Sequence, residues 1–373
     1  MALAKTNVTA YKTNFGEGNE EAFSVSTSVI TFNSNNVVKN IVNKDEINVI
    51  FISSSSKIYV STFGGEYLEI DLEFTVHDVI YSDSIKKFIA VGAGDNRIKI
   101  KSSQDAIAWE EENWGDFGVE SFTSSSILGI MEVENTFLIA VSCRQGNSPA
   151  YFAVNVSFRE NEYIHSEQIV LGSFSNVFKG NNRMIFDGGN TSGIQVITVG
   201  ENSKNNTNKF PKTSADGYFI NISKDKYQIP ELYRAVNCID YNLVATGTSA
   251  IELISAMKYE GYYYLFTATS MCRGKSWTDV MNKGIEEYVP YDGGTEIPFT
   301  SVAPLNGEIA LLCNGYIVIL NIGGESNPIV ETMETLSAKA ALRKAMSYAD
   351  EKIAHLEERI AALENANSES QAE

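Results

Sequence analysis

The stretch His77–Trp109, HDVIYSDSIKKFIAVGAGDNRIKIKSSQDAIAW, decides the fold. His77–Tyr81 reads as a strand, Lys87–Val91 as a second, and Arg97–Lys101 as a third. Ser102–Asp105 then turns the chain toward Ile107-Ala108-Trp109, a fourth. Between the strands stand Gly, Asp, Asn and Ser, the residues that accept tight-turn dihedrals or bond their own backbone. Extended to Val76–Glu112, this is four strands in under 40 residues, the size of one propeller blade.

Working outward, the same rhythm recurs at Ile254–Val280, with weaker copies starting near Leu128, Val177 and Ser301. Apolar runs such as Val49–Ile52, Phe137–Val141 and Tyr316–Leu320 fill the intervals, and no helix is expected to interrupt them. Alternating helices would have signalled a parallel α/β sheet. Residues 28–330 are therefore read as an all-β domain built as a β-propeller. Dividing this span by seven leaves about 43 residues per blade, and by six about 50. Seven is preferred and six is the alternative. Residues 1–27 are polar and are read as an extended arm or edge strand.

Residues 331–367 change character: Ala, Leu, Glu and Lys dominate, with neither Gly nor Pro. Met346, Ile353 and Ile360 fall on a positions of a heptad grid, preceded by Lys339, and Leu342, Ala349, Leu356 and Leu363 fall on d. Lys352 and Arg359 at g would face Glu357 and Glu364 at e of a neighbour. The segment is read as a coiled-coil oligomerisation helix, because a helix lying on its own domain needs a broader apolar face. Residues 368–373 are read as a frayed tail.

Two stretches resemble the Asp-box of sialidase-like propellers, S-x-D-x-G-x-T-W. Ser270, Gly274 and Trp277 match one copy, with Cys272 in place of the Asp. Ser103, Asp105 and Trp109 match another, lacking the Gly and with the Trp one residue early. The resemblance implies a turn staple: Ser and Asp bond turn amides, Gly supplies a positive φ, and Trp packs between strands. Its role is architectural. The phrase KKFIAVGAGDNRIKIKSSQDAIAW is also similar to repeats of phage tail and fibre proteins. That resemblance implies a non-catalytic structural or adhesive part of a phage tail or phage-tail-like particle, a tail fibre or baseplate receptor-binding protein, with a purely structural baseplate connector as the alternative. It would be made in the bacterial cytoplasm and carried on the virion. Homotrimers are preferred by analogy with fibres, although Ile at a with Leu at d favours two strands. Other tail or baseplate proteins and host cell-surface carbohydrate are the expected partners.

Composition narrows the alternatives. The 373 residues carry 29 basic and 47 acidic side chains, a net charge of −18. That balance argues against nucleic acid or an anionic membrane as partner. The longest apolar segment, Ile309–Ile322, is interrupted by Asn314-Gly315, so no membrane insertion is expected. Cys143, Cys238, Cys272 and Cys313 form no C-x-x-C pair and read as core thiols. Asp187-Gly188-Gly189-Asn190 and Asp292-Gly293-Gly294 read as turns rather than calcium loops. No cofactor or metal is expected.

The enzymatic rival is a sialidase-like glycan hydrolase. Such enzymes use three arginines, a Tyr-Glu pair and an Asp. The domain offers Arg97, Arg144, Arg159, Arg183, Arg234 and Arg273, but the family's Arg-Ile-Pro motif is missing. Glu110-Glu111-Glu112 and Glu286-Glu287 read as solvated acidic loops, and His77, His165 and His355 form no catalytic pattern. No catalytic residues are assigned. Trp114, Tyr288 and Tyr291 are the candidate sugar-binding platforms, with core packing as their alternative.

Overall fold

The computed structural model describes residues 3–5, 9–14, 20–32, 35–62, 67–114, 117, 123–159, 162–171, 174, 176–180, 182–187, 194–199, 201–205, 213–215, 218–222, 230–235, 241–246, 252–282, 288–291 and 295–324. The chain opens with β1 (Leu3–Lys5), β2 (Thr9–Asn14) and β3 (Glu20–Thr31). Next come β4 (Val38–Lys44), β5 (Ile47–Ile52), β6 (Ser55–Thr62), β7 (Leu68–Ser82), β8 (Lys87–Gly94), β9 (Arg97–Ser103) and β10 (Glu110–Glu111) in one hydrogen-bonded sheet. Four-stranded meanders follow. The first is β11 (Ser124–Val133), β12 (Thr136–Gln145), β13 (Ser148–Arg159) and β14 (Glu162–Leu171). The second is β15 (Asn176–Gly180), β16 (Arg183–Asp187), β17 (Ile194–Thr198) and β18 (Glu201–Asn205). The third is β19 (Thr213–Ala215), β20 (Tyr218–Ile222), β21 (Pro230–Ala235) and β22 (Tyr241–Thr246). The fourth is β23 (Ser255–Tyr259), β24 (Tyr262–Phe266), β25 (Ser270–Gly274) and β26 (Val289–Pro290). A short helix, α1 (Trp277–Asn282), sits between β25 and β26. The last sheet joins β27 (Ser301–Leu305), β28 (Glu308–Leu312) and β29 (Tyr316–Gly324) to β3.

The seven-stranded sheet is two units sharing a strand. Leu68–Asp71 of β7 pairs with β6, whereas Thr75–Ser82 pairs with β8, Val76 also facing Ser55 at the start of β6. The change of partner falls at Glu73, a non-glycine residue with φ of 65°, whose amide donates to Asp71 Oδ1 at 2.9 Å. Counted this way, the described residues form seven four-stranded units. The expected starts near Leu128, Val177 and Ser301 coincide with β11, β15 and β27. The expected boundary between residues 27 and 28 falls inside β3, whose pairing with β29 runs from Phe23 to Thr31. The N-terminal segment thus supplies the fourth strand of the last unit, with β1 and β2 bonded to its other edge.

The core lies between neighbouring sheets, and this explains the unbroken apolar runs. On β5, Val49 and Phe51 pack with Val79 and Phe88 of the next unit, while Ile50 and Ile52 pack with Ile317 and Ile319 of the preceding one. On β12, Phe137, Ile139 and Val141 meet Ile89 and Ile100, while Leu138 and Ala140 meet Met184 and Phe186. A strand covered on both faces needs apolar side chains at successive positions, not alternation. The first strands adjoin in sequence: β27 with β4, β4 with β7, β7 with β11, β11 with β15, and β19 with β23, which returns to β27. Cys143, Cys272 and Cys313 are buried thiols; Cys238 lies outside the described residues.

Two sequence expectations are corrected here. A helix does interrupt the body, because Ser276 caps it: Asp279 N donates to Ser276 Oγ at 3.1 Å and Lys275 N donates to Asp279 Oδ2 at 3.0 Å. Consequently the segment Ser270–Trp277 is not a stapled turn. Ser270, Cys272 and Gly274 belong to β25, Ser270 bonds Thr267, and Trp277 opens α1. Gly274 is needed for close approach rather than for positive φ, since a Cβ there would lie 2.4 Å from Asp279 Oδ2.

The other stretch does form a staple. Asp105 Oδ1 accepts from Ser103 Oγ, Ile107 N and Ala108 N, each at 2.9 Å, and Trp109 Nε1 donates to Ala106 O at 2.7 Å. Ala106, buried, carries the positive φ of 61°. Backbone bonds from Ala108 and Ile107 hold the Asp105 carboxyl below its usual range. Asp105→Ala is expected to cost about 1–2 kcal/mol at neutral pH, discounted because the turn is exposed. A depressed carboxyl stabilises the fold above its unfolded pKa of about 3.9 and loses that contribution as pH falls through the folded value. Thermal melts of both proteins from neutral to acid pH should therefore show a gap that narrows on acidification; a constant gap contradicts the assignment.

Candidate functional site

Of the three aromatic residues expected as sugar platforms, two are corrected outright. Trp114 is 4% exposed and stacks on Tyr163 with ring centroids 4.4 Å apart, and it also packs on Phe137. Tyr291 is 1% exposed, and burial drives its hydroxyl pKa well above the ordinary value. Tyr288 is half-buried against Leu253, Cys272 and Trp277, with its hydroxyl pKa raised chiefly by burial. Large rings in these connections fill the wedge between sheets, where apolar area is best buried. The heptad residues Leu342, Met346, Ala349, Ile353, Leu356, Ile360 and Leu363 lie outside the described residues, as do Glu286 and Glu287.

The acidic run Glu110–Glu112 is not a free loop. Glu110 and Glu111 form β10, Lys99 Nζ bonds Glu111 at 2.9 Å, and Lys87 Nζ bonds Glu112 at 3.1 Å. Arg273 is buried on β25 with its guanidinium over the Tyr262 ring, 4.4 Å from the centroid. His77 is half-buried beside Asp78, and desolvation lowers its pKa. No group of three or more His, Cys, Asp or Glu among the described residues could hold a metal. No described helix is long and apolar enough to cross a membrane.

The most prominent buried polar group is one the sequence reading passed over. Asp78, on β7, is 4% exposed. Its Oδ1 accepts from Val79 N at 3.0 Å and its Oδ2 from Ile130 N at 2.8 Å. Lys179 of β15 donates to Asp78 Oδ2 and, at 3.1 Å, to Ile130 O. One carboxylate thus ties the first strands of three successive units.

A polar cleft of about 350 Å³ opens between the β8–β9 hairpin and the start of β11. The hairpin turn supplies Gly94, Asp95 and Asn96, the latter two with φ of 52° and 58°. Opposite stand Ser124, Ser125 and Ser126 of β11, with Ser142 and Arg144 of β12. Ser125 N donates to Asn96 O at 3.0 Å, and Thr123 donates through its amide and its hydroxyl to Arg144 O, so the two walls are fixed to one another and to the turn. In the pairing of β11 with β12, Ser124 stands opposite Arg144 and Ser126 opposite Ser142. The sequence signals were the Ser124–Ser126 run and, far from it in the chain, the Asp95-Asn96 turn, each indistinguishable from an ordinary loop until the β8–β9 hairpin is brought against β11.

The cleft and the chain's exit lie at opposite ends of the strands. Hydrogen bonds trace one end from unit to unit. Val38 N donates to Cys313 O at the β28–β29 hairpin, Ser53 N at the β5–β6 hairpin donates to Val37 O, and Ser55 pairs with Val76 at the start of the second half of β7. Thr75 pairs with Ala93, and Asn96 of the same hairpin meets Ser125 in the cleft. β29 starts at that end and runs antiparallel to β28 away from it, so Gly324 is at the far end.

This architecture is that of a β-propeller. No protein-family model matches the chain, and no curated protein matches it. Among solved structures the chain is similar to a streptogramin B lyase, with 14% identity over 81% of this chain and 98% of that one and a TM-score of 0.51. A catalytically inactive virginiamycin B lyase from Staphylococcus aureus, solved with quinupristin, matches at 13% identity, over 80% and 99%, with a TM-score of 0.52. The dihydro-heme d1 dehydrogenase NirN matches at 7% identity, over 82% and 69%, with a TM-score of 0.51. The solved structures this chain resembles include enzymes. At these identities the likeness concerns the fold, and function has to be argued from the site.

Proposed function

We propose that this chain is a non-catalytic binding head of a phage tail or phage-tail-like particle, multimerised by residues 331–367 and directed at host-surface glycans. In this reading the seven four-stranded units close into a ring, with β3 completing the last blade, and the Asp105 turn is an Asp-box staple shortened by one residue. The observation that carries the proposal is the opposite placement of the polar cleft and Gly324 along the strand direction. A coil beginning after Gly324 would gather several heads by one face and leave their clefts pointing away. The engagement of Glu111 and Glu112 by lysines supports a binding rather than a hydrolytic role. A trimer is preferred and a dimer is the alternative; other tail or baseplate proteins would hold the particle end.

Linking heads makes every contact after the first intramolecular, which raises avidity roughly 10²–10⁴-fold. Removing residues 331–373 is therefore expected to leave a folded monomer whose binding to host cells falls by at least about a hundredfold. Light scattering at dilute concentration and a cell-binding titration check this. A full-length monomer, or equal binding by the truncated chain, overturns it.

A further inference from the structure

We infer that the cleft between the β8–β9 hairpin and β11–β12 binds a saccharide carrying one carboxylate, with Arg144 holding the carboxylate; this rests on the glycan-binding reading above. The lining excludes other ligand classes first. Apart from Ala93 and the glycine of the turn, every described lining residue is polar, so an apolar molecule would gain little by entering. The hydroxyls of Ser124, Ser125, Ser142 and Thr75 take no part in any hydrogen bond among the described residues. A hydroxyl both donates and accepts, and a row of them matches the alternating demands of a polyol better than those of a purely anionic ligand.

Charge then narrows the class. Among the described lining residues Arg144 is the one cation and Asp95 the one carboxylate. Neither forms an ion pair among the described residues, so they stand as two separate stations. The guanidinium fork suits a planar carboxylate bidentately. Asp95, exposed at a turn with fixed left-handed backbone, accepts from ligand hydroxyls. The Arg144 backbone cannot drift, because its carbonyl accepts from Thr123 N at 2.7 Å and from Thr123 Oγ1 at 2.9 Å.

The test titrates the full-length protein calorimetrically with glucuronic acid, glucose and glucose 6-phosphate. Glucuronic acid is expected to bind at least roughly tenfold tighter than glucose, the value of a charge-assisted bond at a partly open site. Arg144→Ala should bring glucuronic acid down to the level of glucose while leaving the melting temperature unchanged, and Arg144→Lys should fall between. Equal affinity for the acid and the neutral sugar overturns the inference, as does an Arg144→Ala protein that binds the acid normally. Tighter binding of glucose 6-phosphate than of glucuronic acid overturns the carboxylate assignment. Cell binding separates the two proposals. If Arg144→Ala binds neither acid nor cells while the parent binds both, both stand. If it still binds cells like the parent, the cleft assignment fails and adhesion survives. If the parent binds no cells and no sugar, the adhesion reading fails as well.

Discussion

Asp78→Ala is expected to lower stability by about 3–4 kcal/mol. The carboxylate is 4% exposed and accepts from two amides and from Lys179. Its removal leaves the Ile130 amide buried without an acceptor and Lys179 without its counter-charge. Both costs act on three adjoining units together, so the loss is not confined to β7. Hydrogen exchange should show the Ile130 amide losing protection, and the denaturation midpoint should drop. Asp83→Ala is the control: the partners of Asp83, Lys44 and Lys86, are exposed or partly exposed, and its removal should scarcely register. A variant at Asp78 as stable as the one at Asp83 would show that the bridge contributes nothing net.

Gly92→Ala is expected to cost about 3 kcal/mol or more. A Cβ at Gly92 would lie 2.0 Å from Thr75 O, a backbone atom that cannot rotate away. Val76 and Gly92 are paired partners, and the register shifts between Val76 and Asp78, so β7 would have to leave β8 at its bulge. Gly146→Ala provides the contrast. Its φ is 61° and a Cβ there meets nothing within 4 Å, so only left-handed strain remains, about 1 kcal/mol. Chemical denaturation of the two variants separates overlap from strain. Equal midpoints would show that β7 yields easily at Thr75. Thr75 also lines the cleft, so Gly92→Ala should weaken saccharide binding, whereas Gly146→Ala should not.

The repeat was legible wherever a unit kept short strands and glycine-bearing turns. Val76–Glu112 matches the second half of β7 through β10, and Ile254–Val280 covers β23 through α1. The unit formed by β4, β5, β6 and the first half of β7 escaped notice because no Gly or Pro marks its junction with the next. The chain bends instead at Glu73, where an Asp71 side-chain bond substitutes for turn composition. The helix α1 escaped because its capping residue, Ser276, lay inside a resemblance that assigned Ser276-Trp277 to a turn, and its partner Asp279 lay just beyond it.

What the sequence alone determined is the strand-rich class and the unit length. These depend on spacing along one chain, and spacing is local. It also carried the staple at Asp105, whose partners all lie within three residues. Tertiary structure decided the rest. Whether Trp114 faces solvent or Tyr163, whether Asp78 meets Lys179, and whether Ser124–Ser126 face the turn at Asp95 each depend on residues brought together from distant segments. An aromatic ring or a carboxylate has the same composition in a core and in a site. Only the packing of one sheet on the next removes it from water or leaves it there.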